Sequence, residues 1–250
     1  LPPPPAPRFS PAGPHGLTLA YPAAGATLPE GDTVTLVWNT GGPIKTVRLT
    51  CLGELCPLGG VPRGRFSTVL FTGPNQGQYR WTVPWLDAVR FRVRLTGLTN
   101  TGKEVTSDEA EYSLLPRVCQ NRPPTAICVS KARQRLYYLR DGQIVRMHLI
   151  STAMPGFWTP VMRPGSYDRQ RGAMGRVFSK ATAPVSRMYE VVMYHWMAIT
   201  SSGSHGIHAT SPNLYGRLGH PASHGCVRQH RADAQILWNL VAVGTPVYIL

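Results

Sequence analysis

Seven short runs of alternating polar and apolar residues fill residues 17–115: LTLAY, TVTLVW, KTVRLTC, FSTVLF, QYRWTV, VRFRVRL and AEYSLL. Clusters rich in Gly, Pro, Asn and Asp (PEGD, TGGP, TGPNQG and TNTGKE) separate them. A period of two places every second side chain on one face of a strand, and the turn residues let the chain reverse between strands. Such a segment cannot bury its apolar residues as helices. It predicts an antiparallel β-sandwich, with Trp38 and Trp81 inside the strand pattern and therefore in the core.

The number and spacing of these strands match an immunoglobulin-like or fibronectin-like sandwich over 17–117. The residues before it, LPPPPAPRFSPAGP, read as a proline-rich, extended tether over 1–16. LLPRVCQNRPP marks a linker, and a second domain over 118–250 follows. It is also mostly β. TAICVSKARQRLYYLRDGQIVRMHLIS reads as a hairpin series, with RDGQ as a tight turn between Leu139 and Ile144. MYEVVMY and WMAIT read as further strands, and TPVYIL as a closing one. Only ADAQILWNLVAVG has helical spacing, with Ala234, Leu237, Trp238 and Val241 on one face and Gly244 as a stop. The stretch 155–187 shows no period, which predicts a long functional loop such as a lid. Within it, Arg163, Arg169, Arg171, Arg176, Lys180 and Arg187 stand against Asp168 alone, suited to attracting substrate carboxylates.

The net charge of +14 is concentrated in the second domain, which carries +11 against +3 for residues 1–117. Such a surface attracts anionic polymers. No nucleic-acid-binding signature accompanies it, so a nucleic-acid partner is not expected. No apolar run is long enough for a membrane helix. The proline-rich start suggests an exported protein of the periplasm or cell envelope, with a signal or membrane tether upstream of Leu1.

Five cysteines sharpen the reading. Cys51 with Cys56, and Cys119 with Cys128, are close enough to close small disulfide loops, the alternative being four buried reduced thiols. Either way Cys226 is the odd one, and PASHGCVRQH surrounds it with Ser223, His224, Arg228 and His230, a poor shell for an inert core thiol. A thiol is mostly protonated at neutral pH and needs a base to become a nucleophile. His208, in GIHAT, and His224 are both candidates. Gly225 permits a sharp turn that brings the backbone N–H groups of Gly225 and Cys226 toward a reacting carbonyl as an oxyanion hole. Arg228 can clamp a substrate carboxylate or tie backbone carbonyls beneath the motif, and Ser223 can hydrogen-bond within the loop. A metal site built from His205, His208, His220, His224 and Cys226 matches no common zinc spacing, so no metal or cofactor is expected.

GIHAT, GHPASHGCVR and ADAQILWNLVAVGTPVYIL together resemble the catalytic core of the L,D-transpeptidase (YkuD) family. Its signature pairs a histidine with a downstream Ser/Thr-His-Gly-Cys-hydrophobic-Arg/Asn run, met here by His208, Ser223, His224, Gly225, Cys226, Val227 and Arg228. Ala209 stands where many members have glycine, and the insertion after Thr159–Pro160 leaves the lid residues undefined. The resemblance implies His208 as the base, its ring oriented by a backbone carbonyl, that of Ala209 here. It implies a supporting role for His224 and a cysteine thioester on Cys226. The substrates would be peptidoglycan stem peptides, the product a 3→3 cross-link with release of D-alanine, and carbapenem β-lactams the inhibitors. Water as acceptor would make an L,D-carboxypeptidase. Anchoring of a wall protein uses the same acyl-enzyme. A catalytically inactive wall-binding protein is the alternative from another class.

Overall fold

The computed structural model describes residues 16–39, 43–186 and 190–250. Most of the 1–16 tether lies outside the described residues, as do Arg187, Met188 and Tyr189. The chain divides into two compact units, one of residues 1–55 and 64–117, the other of residues 56–63 and 118–250.

The first unit holds eight strands: β1 (Leu19–Tyr21), β2 (Thr27–Pro29), β3 (Thr33–Trp38), β4 (Thr46–Glu54), β5 (Arg65–Pro74), β6 (Gln78–Thr82), β7 (Arg90–Leu98) and β8 (Glu104–Leu115). They form a three-stranded sheet, β1-β3-β6, and a five-stranded sheet, β2-β8-β7-β4-β5. Every expected strand is present, and β2 is an additional one that pairs parallel with β8. Leu36, Trp38 and Trp81 from the small sheet meet Val47, Leu49, Phe91, Val93, Leu95 and Tyr112 from the large one in a single buried core. The alternation in β7 shows why. Phe91, Val93 and Leu95 point inward, while the intervening Arg92 and Arg94 both reach Glu109 on β8, at 2.5 and 2.9 Å.

The second unit is built on nine strands: β9 (Ala126–Ser130), β10 (Arg135–Arg140), β11 (Gln143–Ser151), β12 (Ser166–Asp168), β13 (Gly172–Ala181), β14 (Trp196–Thr200), β15 (Gly206–Ala209), β16 (Val227–Gln229) and β17 (Val247–Ile249). Their order is β12-β13-β14-β15-β16-β11-β10-β9-β17. Asp141 and Gly142, both at positive φ, make the two-residue turn between β10 and β11 that RDGQ predicts. Helix α1 (Arg231–Leu240) buries Ala234 and Leu237, and its C-cap residue Val241 is buried too. No helix among the described residues is long and apolar enough to cross a membrane.

Four expectations are corrected. Cys51 and Cys128 carry free thiols, so neither of the expected disulfides forms. Cys51 is a buried core residue of β4 and Cys128 a buried residue of β9. Burial alone disposes of these two side chains, because a free thiol packs as a small hydrophobe. The period-less stretch is largely ordered as the β12–β13 hairpin, whose register runs Ser166↔Met174, Tyr167↔Ala173 and Asp168↔Gly172. Of its basic residues, Lys180 is committed elsewhere, donating to the Trp238 and Val241 carbonyls at 2.6 and 2.7 Å. MYEVVMY is not a regular strand in its described part, where an isolated Val185↔Val192 bridge is the pairing made. Finally, α1 stops before Gly244 because Val241 turns to an extended φ of −91° and Lys180 takes the open carbonyls.

The segment 56–63 matters to α1 as well. The Gly59 N–H donates to Asp233 Oδ2 at 3.0 Å, and a Cβ on Gly59 would meet the His230 ring at 2.3 Å. A fragment beginning at residue 118 therefore loses a partner of a buried carboxylate. Lys180→Met should keep the packing of the lysine stem but free two helix-end carbonyls. A loss of about 1–2 kcal/mol in denaturant unfolding is expected, and no loss would mean that water caps this end equally well.

Candidate active site

The site is set by one strand pairing. β15 and β16 run parallel with Ile207 opposite Val227 and His208 opposite Arg228. Ile207 and Val227 are fully buried in the core beneath the sheet. Side chains alternate along a strand, so His208 and Arg228 face the other side. Cys226, one residue before β16, continues that face diagonally across from His208.

His208 is almost entirely buried, and its Nδ1–H donates to the Ala209 carbonyl at 2.8 Å. That bond fixes the tautomer and leaves Nε2 as the basic nitrogen. Burial pushes its pKa down to about 4, helped by the Arg228 guanidinium and opposed by the Ala209 hydrogen bond. The Cys226 thiol moves the other way: burial raises it, against the Gly206 backbone N–H and Arg228. Trp196 lies 5.7 Å from the His208 ring. It can do so because Gly206 has no side chain, since a Cβ there would meet the Trp196 ring at 2.4 Å.

The loop before Cys226 is tied down residue by residue. Gly225 has a φ of +140°, open to glycine alone, and a Cβ would meet His205 Nε2 at 2.8 Å. Its N–H donates to Ser223 Oγ at 3.1 Å, and Ser223 Oγ donates to the Cys226 carbonyl at 2.6 Å. Two expectations change here. The Gly225 N–H is held by Ser223 rather than presented to a reacting carbonyl. Ser223 is fully buried and so braces the loop instead of touching substrate. Ala209 contributes through its carbonyl. Arg228 Nη1 donates to the Ala222 carbonyl at 3.2 Å, the backbone tie that was one of its two readings. The His224 ring lies against Phe157, 4.4 Å between centroids.

Residues with no motif around them complete the setting. Thr159 Oγ1 donates to the Gly225 carbonyl at 2.7 Å and accepts the Ala153 N–H at 2.9 Å. His205 Nε2 lies 3.3 Å from the Trp158 carbonyl. His148 Nδ1 meets Gln229 Oε1 at 2.8 Å on the core side of β16, and burial lowers its pKa despite the nearby Asp233 carboxylate. Thr159 carries no signal of its own in the sequence, and the Trp158 and Gln229 partners of His205 and His148 lie far from them along the chain. Among the described residues no three His, Cys, Asp or Glu side chains converge as metal ligands would.

The family model for the L,D-transpeptidase (YkuD) catalytic domain matches residues 124–249, half of the chain. The chain belongs to this family. The matched residues are an L,D-transpeptidase-type catalytic domain, and the two sheets of the first unit precede them in the chain. No curated protein sequence matches the chain. Among solved structures, an L,D-transpeptidase from Mycobacterium smegmatis is 17% identical, with 94% of this chain and 99% of that one covered and a TM-score of 0.44. One from Stackebrandtia nassauensis is 22% identical over 54% of this chain, at a TM-score of 0.44, and this chain spans 58% of its length. L,D-transpeptidase 3 from Mycobacterium tuberculosis, with a faropenem-derived adduct, is 15% identical, covering 92% and 95% of the two chains at a TM-score of 0.42.

Two measurements on thiols test the site. In the native protein an alkylating reagent should label Cys226, which is only partly buried, and spare the fully buried Cys51 and Cys128. In denaturant without reductant those two should label as well. Because the Cys226 pKa is raised, its thiolate fraction is small at neutrality and grows about tenfold per pH unit. The native alkylation rate should therefore climb between about pH 7 and 9. A plateau already reached at neutral pH would show a resting thiolate–imidazolium pair instead of the neutral pair described above.

Proposed function

We propose that the protein is a peptidoglycan L,D-transpeptidase with Cys226 as nucleophile and His208 as base. The observation that carries this is the β15–β16 register, which brings a partly buried thiol and an imidazole of fixed tautomer to one face of the sheet. In the first half-reaction Sγ attacks the carbonyl after the third stem residue while His208 Nε2 accepts the thiol proton. The Cys226 N–H donates to the developing oxyanion. Collapse breaks the C–N bond, His208 returns the proton to the departing amine of D-alanine, and a thioester remains. In the second half-reaction the amine of another stem attacks the thioester, His208 takes the amine proton, and the thiol is restored with a 3→3 cross-link formed. A thioester suits an exported enzyme, because it conserves the energy of the cleaved peptide bond where no nucleotide cofactor is at hand. Water in the second step would give the carboxypeptidase outcome.

Several features support the reading. The low basicity of His208 makes it a neutral acceptor at physiological pH, ready to take a proton only when the sulfur attacks. Arg228 places positive charge beside both groups, which favours the thiolate as it forms. Family membership implies carbapenems as acylating inhibitors here. Action on stem peptides would put the enzyme in the cell envelope.

Incubation with a tetrapeptide muropeptide should yield a dimer that has lost one D-alanine, read by mass spectrometry. Hydrolysed monomer alone would establish the carboxypeptidase outcome. Cys226→Ala should abolish the acyl adduct formed with a carbapenem, and His208→Ala should slow it by about 10²–10⁴-fold. His224→Ala should do less. Normal acylation of His208→Ala would remove His208 from the role of base.

A further inference from the structure

The Gly225–Cys226 peptide is gripped from outside the motif in a way that the roles above do not use. Its carbonyl accepts a 2.7 Å hydrogen bond from Thr159 Oγ1. Thr159 is 2% exposed, and its hydroxyl is itself held by the Ala153 N–H at 2.9 Å, so the donor direction is fixed. A peptide unit is planar and trans, so fixing the carbonyl of Gly225 also fixes the opposite direction of the Cys226 N–H. On the Cα side of the same unit stands His205, 9% exposed, where a Cβ on Gly225 would meet its Nε2 at 2.8 Å. That ring is pinned between Ser204 Oγ at 3.1 Å from Nδ1 and the Trp158 carbonyl at 3.3 Å from Nε2. Trp158 and Thr159 are consecutive, so one short stretch of chain holds both sides of the peptide.

We infer that Thr159 and His205 are positioning residues for the transition state, acting through the Gly225–Cys226 peptide to aim the Cys226 N–H at the acyl oxygen. The inference rests on Cys226 being the nucleophile of an acyl transfer. Glycine at 225 leaves this peptide free to rotate, because no Cβ restricts the Cα–C rotation that turns it. The clamp removes that freedom. The geometry of sulfur and imidazole does not pass through this plane, so the clamp serves the oxyanion and not the formation of the thiolate.

That separation supplies the test. Acylation by a carbapenem passes through an oxyanion, whereas alkylation by iodoacetamide does not. Thr159→Val keeps the shape and loses the hydroxyl, and it should reduce the maximal rate of carbapenem acylation by about 10- to 100-fold, somewhat less than the loss of an oxyanion donor itself. Alkylation of Cys226 should stay within about twofold of wild type at each pH, since no oxyanion forms in that reaction. Thr159→Ser, which restores both hydrogen bonds, should recover most of the acylation rate. If Thr159→Val does not fold by circular dichroism, His205→Phe takes its place. It fills the space beside Gly225 but releases the Trp158 carbonyl, and the same split between acylation and alkylation is expected. Equal loss in both reactions would reduce the two residues to structural supports. Wild-type acylation in a folded variant would also overturn the inference. Failure of the wild-type protein to be acylated would instead strike the proposed function itself.

Discussion

The parallel pairing of β15 with β16 is the constraint on which the site depends. Parallel neighbours keep equivalent residues side by side, so the register that seats Ile207 and Val227 in the core simultaneously sets His208 beside Arg228 and diagonal to Cys226. A slip of one residue would carry the whole catalytic face into the core. The site is therefore as secure as the packing beneath it, where both buried side chains have no exposure at all. Its precision needs no separate source of stability.

Burial then decides the resting protonation state. It weakens the histidine as a base and the cysteine as an acid, so both shifts favour the neutral pair. In the proposed reaction, charge separation would then come only as a carbonyl carbon receives the sulfur. Arg228 and the Gly206 N–H lower the penalty for that moment without abolishing it. Such an arrangement protects the thiol from oxidants and alkylating agents between turnovers, since these attack thiolates.

Much of this could be read from the sequence because it is local. Asp141–Gly142 makes its turn by its own backbone preferences, the strands of the sandwich alternate by themselves, and Ser223–Arg228 carries the motif in one unbroken run. What escaped depends on distance along the chain. Cysteine spacing suggested closed loops, but Cys51 and Cys128 belong to buried strands whose packing sequence spacing does not report. The β12–β13 hairpin shows no period because β12 has only three residues and β13 is irregular between Met174 and Ser179, with Gly172 and Gly175 at positive φ. The direction of the Gly225 N–H was legible only as a possibility, because a glycine loop has many backbone solutions and Ser223 selects one.

Adjacent parallel strands cannot be joined by a tight turn, so the chain must leave the sheet after Ala209 and return at Val227. Residues 210–226 make that excursion, with a 3-10 turn at Pro212–Arg217 that buries none of its residues. His208 is thus held by the sheet at one end of the connection and Cys226 sits where the chain re-enters it at the other, while the 3-10 turn between them buries none of its residues. Such a loop can change length or composition without moving either end, so chains that share the β15–β16 pairing are free to diverge in the surface between His208 and Cys226.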